Sequence, residues 1–265
     1  MSRALRVASE AAREAGAYIR REAGTLKPGD VAEKGPLDFV TRVDKGAEAL
    51  ILDAIRRNFP EDAILSEEQG GDLPNAEHLW VVDPLDGTNN FIHGISRFAV
   101  SIAFAASGRP EIGAIYDPIR DELFACKRDE GVWLNGTIIG VSRTTDLASA
   151  TVGAGLPTRH RDLLPSWLEQ FARVARAVGT TRKTGSAALD LACVASGRYD
   201  AYWEPRLSPW DMAAGAVLVE AAGGIVTDDR GGPWTLGATG IIAANPDLHP
   251  RITQLIAPEV AASKN

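Results

Sequence analysis

Residues 80–94, W-V-V-D-P-L-D-G-T-N-N-F-I-H-G, restrict the possible folds of this chain more than any other stretch. The apolar run 79–82 leads into them and predicts a buried strand, because a strand covered on both faces is apolar without interruption. Asp83 and Asp86 follow around a proline, and a Gly-Thr pair then opens a polar run that predicts a helix start. The fold must therefore bring two carboxylates and a helix start to the end of one buried strand.

This order of residues is typical of a phosphate site that also holds hard cations. Carboxylates are oxygen ligands for Mg²⁺, and the free N–H groups at a helix start bind an anion. The same residues also make an ordinary turn, since Pro presets φ, Asp caps locally and Gly permits a positive φ. From this stretch alone both interpretations stand.

The bulk properties indicate a soluble globular enzyme rather than a nucleic-acid or membrane protein. The 265 residues are enough for one large domain with a substantial core, and a net charge of −7 gives no reason to expect a polyanionic partner. Cys126 and Cys193 are isolated, which predicts free thiols. No run reaches the ~18 apolar residues of a membrane span, and the N-terminus lacks the apolar core of a signal peptide. We expect a cytoplasmic protein.

Periodicity predicts helices and one large sheet in the first half. Apolar residues at steps of three and four predict a helix over 2–23 and another over 44–59, with Asp44 at its N-cap. Residues 31–38 look irregular. A short strand at 63–65 ends in Glu67 and Glu68, and adjacent glutamates at such a place are usually only solvated. Short strands separated by turn residues over 98–141 predict a mostly antiparallel meander flanked by the two helices.

The second half alternates between strands and helices, which predicts α/β layering. The predicted strands are 150–154, 199–203, 225–227 and 240–244, and the predicted helices are 166–178, 187–196, 209–222 and 247–256. Residues 182–186 read as a basic turn of small residues. The whole chain is therefore predicted to be α+β.

Four further acids lie at predicted strand ends or helix starts, where side chains from different segments meet in one cleft. They are Asp44, Glu67, Glu204 and Asp211. Asp211 follows Pro209-Trp210 at the start of a helix, so on local grounds it either caps that helix or turns its carboxylate toward a metal.

Six motifs in this order resemble the inositol monophosphatase family of Mg²⁺-dependent, lithium-sensitive phosphatases. They are D-F-V-T-R-V-D at 38–44, S-E-E at 66–68, D-P-L-D-G-T-N-N-F at 83–91, G-S-A-A-L-D at 185–190, P-W-D-M-A-A-G at 209–215 and E-A-A-G-G at 220–224. The resemblance implies one domain, a layered αβαβα sandwich over residues 1–265, with subdomains of roughly 1–145 and 146–265. It also implies a homodimer.

The resemblance implies a metal site and a nucleophile site. Glu67, Asp83 and the Leu85 carbonyl would bind one Mg²⁺, Asp83, Asp86 and Asp211 a second, and Glu67 also a third. Asp44 and Thr88 would orient and deprotonate the attacking water. Lys34 matches a family lysine near the metal site.

It further implies a substrate pocket. Gly87 and Thr88 would present N–H groups to the phosphate next to Asp86 and Asp211. The alcohol would lie against further residues, namely Arg182, Gly185, Ser186, Ala187 and Glu204.

The expected reaction is hydrolysis of a small polyol or sugar phosphate, with inositol 1-phosphate preferred, by direct attack of a metal-activated water. Relatives of this fold hydrolyse fructose 1,6-bisphosphate or nucleotide phosphates, and Arg206 could hold a second phosphate, although a solvated surface arginine is the plainer interpretation. A different class of function is a regulatory protein that keeps the fold and binds a partner.

Overall fold

The computed structural model describes residues 2–257, which form helices and strands in five layers. In the first half these are α1 (Arg3–Glu22), β1 (Val31–Gly35), β2 (Asp38–Thr41), α2 (Arg42–Asn58), β3 (Ala63–Ser66), β4 (His78–Asp86), α3 (Thr88–Ile92), β5 (Ala99–Ala106), β6 (Arg109–Asp117), β7 (Glu122–Lys127), β8 (Gly131–Leu134) and β9 (Thr137–Ile138). In the second half they are β10 (Thr151–Ala154), α4 (Leu164–Ala177), β11 (Thr180–Arg182), α5 (Ala187–Ala195), β12 (Ala201–Pro205), α6 (Pro209–Ala221), β13 (Ile225–Thr227), β14 (Gly240–Ala244) and α7 (His249–Ile256).

The first sheet contains β3 to β9 in chain order. β3 pairs with β4 in parallel, and every later neighbour is antiparallel. The amphipathic helices α1 and α2 cover one face, where Ile19 and Ile51 pack against Trp80 and Ile102 of the sheet. The predicted antiparallel sheet with two flanking helices is confirmed.

The second sheet has five strands in the order β11-β10-β12-β14-β13. β11, β10 and β12 are parallel neighbours, while β14 is antiparallel to both β12 and β13. The loops that follow the three parallel strands therefore leave the sheet at one common edge.

Helices α5 and α6 fill the space between the two sheets. A helix that is apolar all round has no face for water and must be buried, and every residue from Met212 to Val219 of α6 is buried. Glycines allow the close packing: a Cβ on Gly113 of β6 would lie 2.7 Å from the Ala214 carbonyl oxygen of α6. On the outer face of the second sheet α4 and α7 pack through Trp167, Val174 and Ile252. The predicted αβαβα order is confirmed.

The local structure predicted from the sequence is wrong in two places. Residues 31–38 are not irregular, since they form most of the hairpin β1–β2, which turns at Leu37 with a φ of 60°. Their exposed side chains lack the alternation that marks a half-buried strand. The predicted basic turn 182–186 begins inside β11, a strand too short to show a pattern.

Asp44 is also not the N-cap of α2. That residue is Thr41, whose hydroxyl accepts from the Val43 N–H at 3.0 Å, and Asp44 lies three residues further on. No helix in residues 2–257 is both long and apolar enough to cross a membrane.

Candidate active site

A β-bulge at the end of β4 brings Asp83 and Asp86 to the same side of the sheet. In a regular strand, residues three apart face opposite sides. Here Asp83 pairs with Ser101 and Asp86 with Ala99. Between these two pairs β4 therefore contains one residue more than β5, which is a β-bulge. The packing confirms the change of face, because Leu85 and Val82 both pack in the core beneath α1 and α2, whereas Val81 packs in the core that α5 and α6 fill between the two sheets.

Asp211 joins these two acids from the first turn of α6. It lies three residues after the N-cap Ser208, whose backbone N–H donates to Asp211 Oδ2 at 2.7 Å. One carboxylate oxygen thus caps the helix, while the group as a whole faces the bulge. Oxygens of Asp83, Asp86 and Asp211 all lie within 4.8 Å of one another. Asp211 therefore both caps α6 and lies next to Asp83 and Asp86, so the two interpretations offered by the sequence hold together.

The three carboxylates form no ion pair with any side chain of residues 2–257. Asp83 accepts from the Leu85 N–H at 3.0 Å, and Asp86 accepts from the Ser186 hydroxyl and, at 2.9 Å, from the Ala188 N–H. Burial and the neighbouring carboxylates raise the pKa of Asp83 and of Asp211 well above its usual value, and burial raises that of Asp86 to about 6. Such a group of like charges needs a cation.

The donor chemistry fits a hard divalent cation. The three carboxylates and the nearby Leu85 carbonyl offer only oxygen ligands, which Mg²⁺ prefers over nitrogen and sulfur. The acidic cluster can therefore hold a metal ion, and its ligand set excludes a thiolate site of the kind that zinc favours.

Glu67 lines the same cleft but is neutralised in a different way. Lys34 Nζ lies 3.1 Å from Glu67 Oε1 and 2.9 Å from Glu68 Oε1. Burial lowers the pKa of Lys34, but the two glutamates outweigh it and raise that pKa above its usual value. The side chains of Glu67 and Glu68 are only 10% and 4% exposed, so the expectation of solvated glutamates at this strand end is wrong.

Thr88 and Asp44 form a hydrogen-bonded pair beside the acids. The Thr88 hydroxyl lies 2.8 Å from Asp44 Oδ1 and 2.9 Å from the Leu85 carbonyl oxygen. The other Asp44 oxygen, Oδ2, accepts from the Thr41 N–H at 2.8 Å. Burial raises the pKa of Asp44, and the hydrogen bonds from Thr41 and Thr88 oppose this rise. Asp44 thus uses one oxygen to cap α2 and the other to hold Thr88.

Gly87 turns the chain from the bulge into α3 with a φ of 89°. A Cβ there would lie 2.9 Å from the Arg97 carbonyl oxygen and 3.2 Å from that of Gly185, so only glycine fits. The first N–H groups of α3 have no partners within the helix, and Gly87 and Thr88 both line the cleft.

The cleft has a volume of about 440 Å³, and Glu204 also lines it. The Tyr202 hydroxyl donates to Glu204 Oε2. Gly155 leaves room for this carboxyl group, since a Cβ there would lie 1.8 Å from it. Burial raises the pKa of Glu204 to about 8, so this group is largely neutral at pH 7 and able to donate a hydrogen bond.

The structure places most of the predicted substrate residues in the cleft, but not Arg182. Gly185, Ser186 and Ala187 line it, and the Ser186 hydroxyl is already used on Asp86. Arg182 is not among the lining residues in the described part of the chain. Its guanidinium folds back on its own strand and donates to Thr180 Oγ1 at 2.6 Å and to the Thr181 carbonyl at 2.9 Å.

Several residues in the cleft were missed by the sequence reasoning. Lys183 lines it in place of Arg182, and the loop 155–160 after β10 supplies Arg159 and His160. The predicted α/β layering could have indicated these residues. Ligands bind at the carboxyl ends of parallel strands in α/β sheets, and Arg159, His160 and Lys183 follow such strands. Asn90 is a second case: its side-chain amide donates to the carbonyls of Arg97 and Thr184, at 2.7 and 2.9 Å, and joins α3 to the loop before α5.

The sequence and the fold are both similar to those of known proteins. The family described as "Inositol monophosphatase family" matches residues 1–264. The Nus factor SuhB of Pseudomonas aeruginosa is 44% identical over 264 residues, covering 98% of this chain and 97% of that one. The crystal structure of the extragenic suppressor protein SuhB from Bartonella henselae superposes with a TM-score of 0.90 at 38% identity, over 96% of this chain and 98% of that one. An inositol monophosphatase from Anabaena gives 0.85 at 37% identity, over 97% of both.

Proposed function

The chain belongs to the inositol monophosphatase family, and from that premise we propose that it is a Mg²⁺-dependent phosphatase for monoesters of a small polyol or sugar. The observation that carries this proposal is the cluster of Asp83, Asp86 and Asp211, three carboxylates without a cationic partner in residues 2–257. A protein that used the fold only for support gains nothing from such a repulsive group, whereas a phosphatase needs it.

Asp83, Asp86 and Asp211 would hold one Mg²⁺, and Glu67, Asp83 and the Leu85 carbonyl another, with Glu67 also reaching a third. When bound, such ions neutralise the phosphate charge, lower the pKa of the attacking water and stabilise the leaving alkoxide. The bulge in β4 lets Asp83 and Asp86 serve in one ligand set, because it points both side chains to one side.

Asp44 and Thr88 act on the nucleophile. The Thr88 hydroxyl, 2.8 Å from Asp44 Oδ1, accepts a hydrogen bond from water in the cleft while donating its own proton to Asp44. The proton of the water passes to Asp44 in this way. Because Oδ2 of Asp44 is fixed by the N–H of Thr41 at 2.8 Å, the pair has a single orientation.

The phosphate and the alcohol occupy different parts of the cleft. The free N–H groups of Gly87 and Thr88 face the phosphate at the acidic end. Glu204 and the backbone around Gly185 and Ala187 receive the hydroxyl groups of the alcohol at the other end. A neutral Glu204 donates to one hydroxyl and accepts from another, which suits a polyol.

Inositol 1-phosphate is the preferred monophosphate in this proposal, with fructose 1,6-bisphosphate and nucleotide phosphates as alternatives of the same fold. Lithium sensitivity and a homodimer belong to the proposal through the family alone.

The test measures phosphate release from a panel of esters at fixed pH. The panel contains inositol 1-phosphate, a hexose monophosphate and a nucleoside monophosphate, each with Mg²⁺, with a chelator, and with Mg²⁺ plus Li⁺. We expect release that requires Mg²⁺ and is inhibited by Li⁺. Absence of Mg²⁺-dependent release from every ester would rule out the phosphatase function.

The name of the Pseudomonas aeruginosa relative supports a second function, a Nus-factor role. The two functions separate in a complementation experiment in a strain of that organism lacking its own relative. If the chain acts as a binding protein there, the inactive variant Asp83→Asn restores the phenotype as well as wild type does. If only hydrolysis matters, Asp83→Asn fails while remaining folded and equally abundant.

A further inference from the structure

The three acids Asp83, Asp86 and Asp211 accept hydrogen bonds from different distances along the chain. Asp83 accepts from the Leu85 N–H at 3.0 Å, and this donor lies only two residues away. Asp211 accepts from the Ser208 N–H at 2.7 Å, three residues away. Asp86 accepts no bond from a near neighbour within residues 2–257, because both of its donors lie at the start of α5. The orientation of Asp86 therefore depends on a distant part of the chain.

The two donors to Asp86 are the Ser186 hydroxyl and, at 2.9 Å, the Ala188 N–H. Both donate to the same oxygen, Oδ2, so Oδ1 accepts no hydrogen bond from residues 2–257 and is left for a cation. Ala188 belongs to the first turn of α5, where the helix dipole favours a carboxylate. One side-chain donor and one backbone donor of α5 thus fix Asp86 from the opposite half of the chain.

This bond makes the Ser186 hydroxyl unavailable as a donor to an alcohol in the cleft. A hydroxyl group has one proton to donate, and Ser186 donates its proton to Asp86. Its oxygen also accepts from the Leu189 N–H at 3.3 Å, as the N-cap of α5, and the residue is only 1% exposed. Ser186 lines the cleft, but its hydroxyl is committed to a metal-binding acid.

The loop before α5 is itself anchored, so the position of Ser186 does not depend on Asp86 alone. The Asn90 side-chain amide donates to the Thr184 carbonyl at 2.9 Å and to the Gly185 carbonyl at 3.3 Å. Gly185 has a φ of 85°, and a Cβ there would lie 3.0 Å from Asn90 Nδ2, so glycine permits this close approach. These contacts hold the Ser186 hydroxyl where it meets the carboxylate.

From these contacts we infer that Ser186 is a positioning residue of the metal site, which acts by holding the carboxylate of Asp86, and is not a contact of the substrate alcohol. This role rests on the Mg²⁺ site of the proposed function. A hydrogen-bond donor that orients a metal ligand changes metal affinity by about 10- to 100-fold. Ser186 therefore contributes to the affinity for Mg²⁺ and leaves the affinity for the alcohol unchanged.

Calorimetric titration of Mg²⁺ into the metal-free protein tests this role without any turnover. Ser186→Ala should weaken Mg²⁺ binding by about 10- to 100-fold, because Asp86 loses its hydroxyl donor. Ser186→Thr keeps a hydroxyl group and should bind Mg²⁺ more tightly than Ser186→Ala does. With Mg²⁺ at saturation for each variant, the KM for inositol 1-phosphate should stay close to that of wild type.

Two further variants separate the bond to Asp86 from the cap of α5 and from a general loss of stability. Ser186→Gly also lacks the hydroxyl, but glycine is a far better N-cap than alanine. It should therefore lose as much Mg²⁺ affinity as Ser186→Ala while its thermal midpoint falls less. Ser142→Ala removes a similar bond, to Asp200 outside the cleft, and should leave the Mg²⁺ affinity unchanged.

Unchanged Mg²⁺ affinity in Ser186→Ala and Ser186→Gly would overturn this role. So would a KM at saturating Mg²⁺ that rises in both variants, since that result would assign the hydroxyl to the alcohol. A wild type that binds no Mg²⁺ would overturn the metal site together with the role of Ser186. A wild type that binds Mg²⁺ but hydrolyses no ester would contradict the phosphatase function alone.

Discussion

Asp190 and the acidic cluster of Asp83, Asp86 and Asp211 all line one cleft, but only Asp190 is neutralised by an arginine. Asp190 of α5 accepts from Arg97 Nη2 at 2.8 Å and from the Thr184 hydroxyl at 2.6 Å. Asp83, Asp86 and Asp211 have no such cation among residues 2–257. Burial raises the pKa in both sets, but Arg97 and Thr184 oppose the rise at Asp190, while like charges add to it at Asp83.

This difference separates a structural ion pair from a binding site. A buried carboxylate paired with arginine contributes to a fixed arrangement, here of the loop before α5 and the 93–97 turn. A buried carboxylate without a partner costs stability and is retained where something binds it. The absence of a cationic partner at Asp83, Asp86 and Asp211 within residues 2–257 therefore supports the proposed metal site independently of any relative.

Loss of one carboxylate from the cluster of Asp83, Asp86 and Asp211 should have the strongest effect on turnover. Asp83→Asn should lower kcat/KM with Mg²⁺ by about 10³-fold or more, because metal ions contribute several kcal/mol to such a reaction. The free energy of unfolding without metal should stay the same or rise, since one repelling charge is lost. Asp53→Asn, at an exposed surface pair on α2, is the matched control and should change neither quantity. Retained turnover in Asp83→Asn would refute the ligand assignment.

Breaking the ion pair of Arg97 with Asp190 should instead lower the free energy of unfolding. Arg97→Met leaves Asp190 buried and charged, which should cost about 3–5 kcal/mol of unfolding free energy, measured by denaturant titration at neutral pH. The double variant Arg97→Met/Asp190→Leu removes both charges and should recover most of that loss. A single-variant loss below about 1 kcal/mol would show that the pair is not structural.

Substitution of Gly87, at the start of α3, should lower the free energy of unfolding by a smaller amount. Gly87 and Gly24 both have positive φ, 89° and 76°, but only at Gly87 would a Cβ meet other atoms, 2.9 Å from the Arg97 carbonyl oxygen. Gly24→Ala should cost about 1 kcal/mol from backbone strain alone. Gly87→Ala should cost about 2–3 kcal/mol and also reduce turnover, because the N–H groups of α3 shift. Equal costs in denaturant titrations would remove the steric argument.

The smallest effect lies away from the cleft, at His249 of α7. Burial lowers the pKa of His249 below its usual 6.5. The unfolded chain therefore binds more protons in acid, and the stability that the neutral histidine gives is lost as the pH falls below 6.5. Unfolding free energies at pH 7.5 and 5.5 should differ less in His249→Asn than in wild type. An unchanged difference would mean that this histidine does not titrate as described.

The sequence predicted the elements better than their arrangement. The spacing of apolar residues predicted α1 to within a residue or two at each end, because an amphipathic helix shows its period directly. Helix α6 was also predicted. Its position between the sheets could not be, because it depends on which sheet faces the other helices leave uncovered. The bulge at Leu85 could not be predicted, since it appears only as a shift in pairing with β5.

The site shows the same limit. Strand ends and helix starts indicated correctly that Asp83, Asp86 and Asp211 would meet. Arg182 and Lys183, adjacent and both basic, could not be distinguished, because facing the cleft depends on how β11 ends. The ion pair of Lys34 with Glu67 and Glu68 joins segments more than thirty residues apart, and no local pattern carries it.

We propose that the unpaired cluster of Asp83, Asp86 and Asp211 binds Mg²⁺ and that Asp190, which is paired with Arg97, does not. Calorimetric titration of Mg²⁺ into metal-free protein tests this proposal, with wild type, Asp83→Asn and Asp190→Asn compared at one pH and ionic strength. We expect binding by wild type, loss of that binding in Asp83→Asn, and retention in Asp190→Asn. Equal binding by Asp83→Asn and wild type would contradict the claim, and so would loss of binding in folded Asp190→Asn.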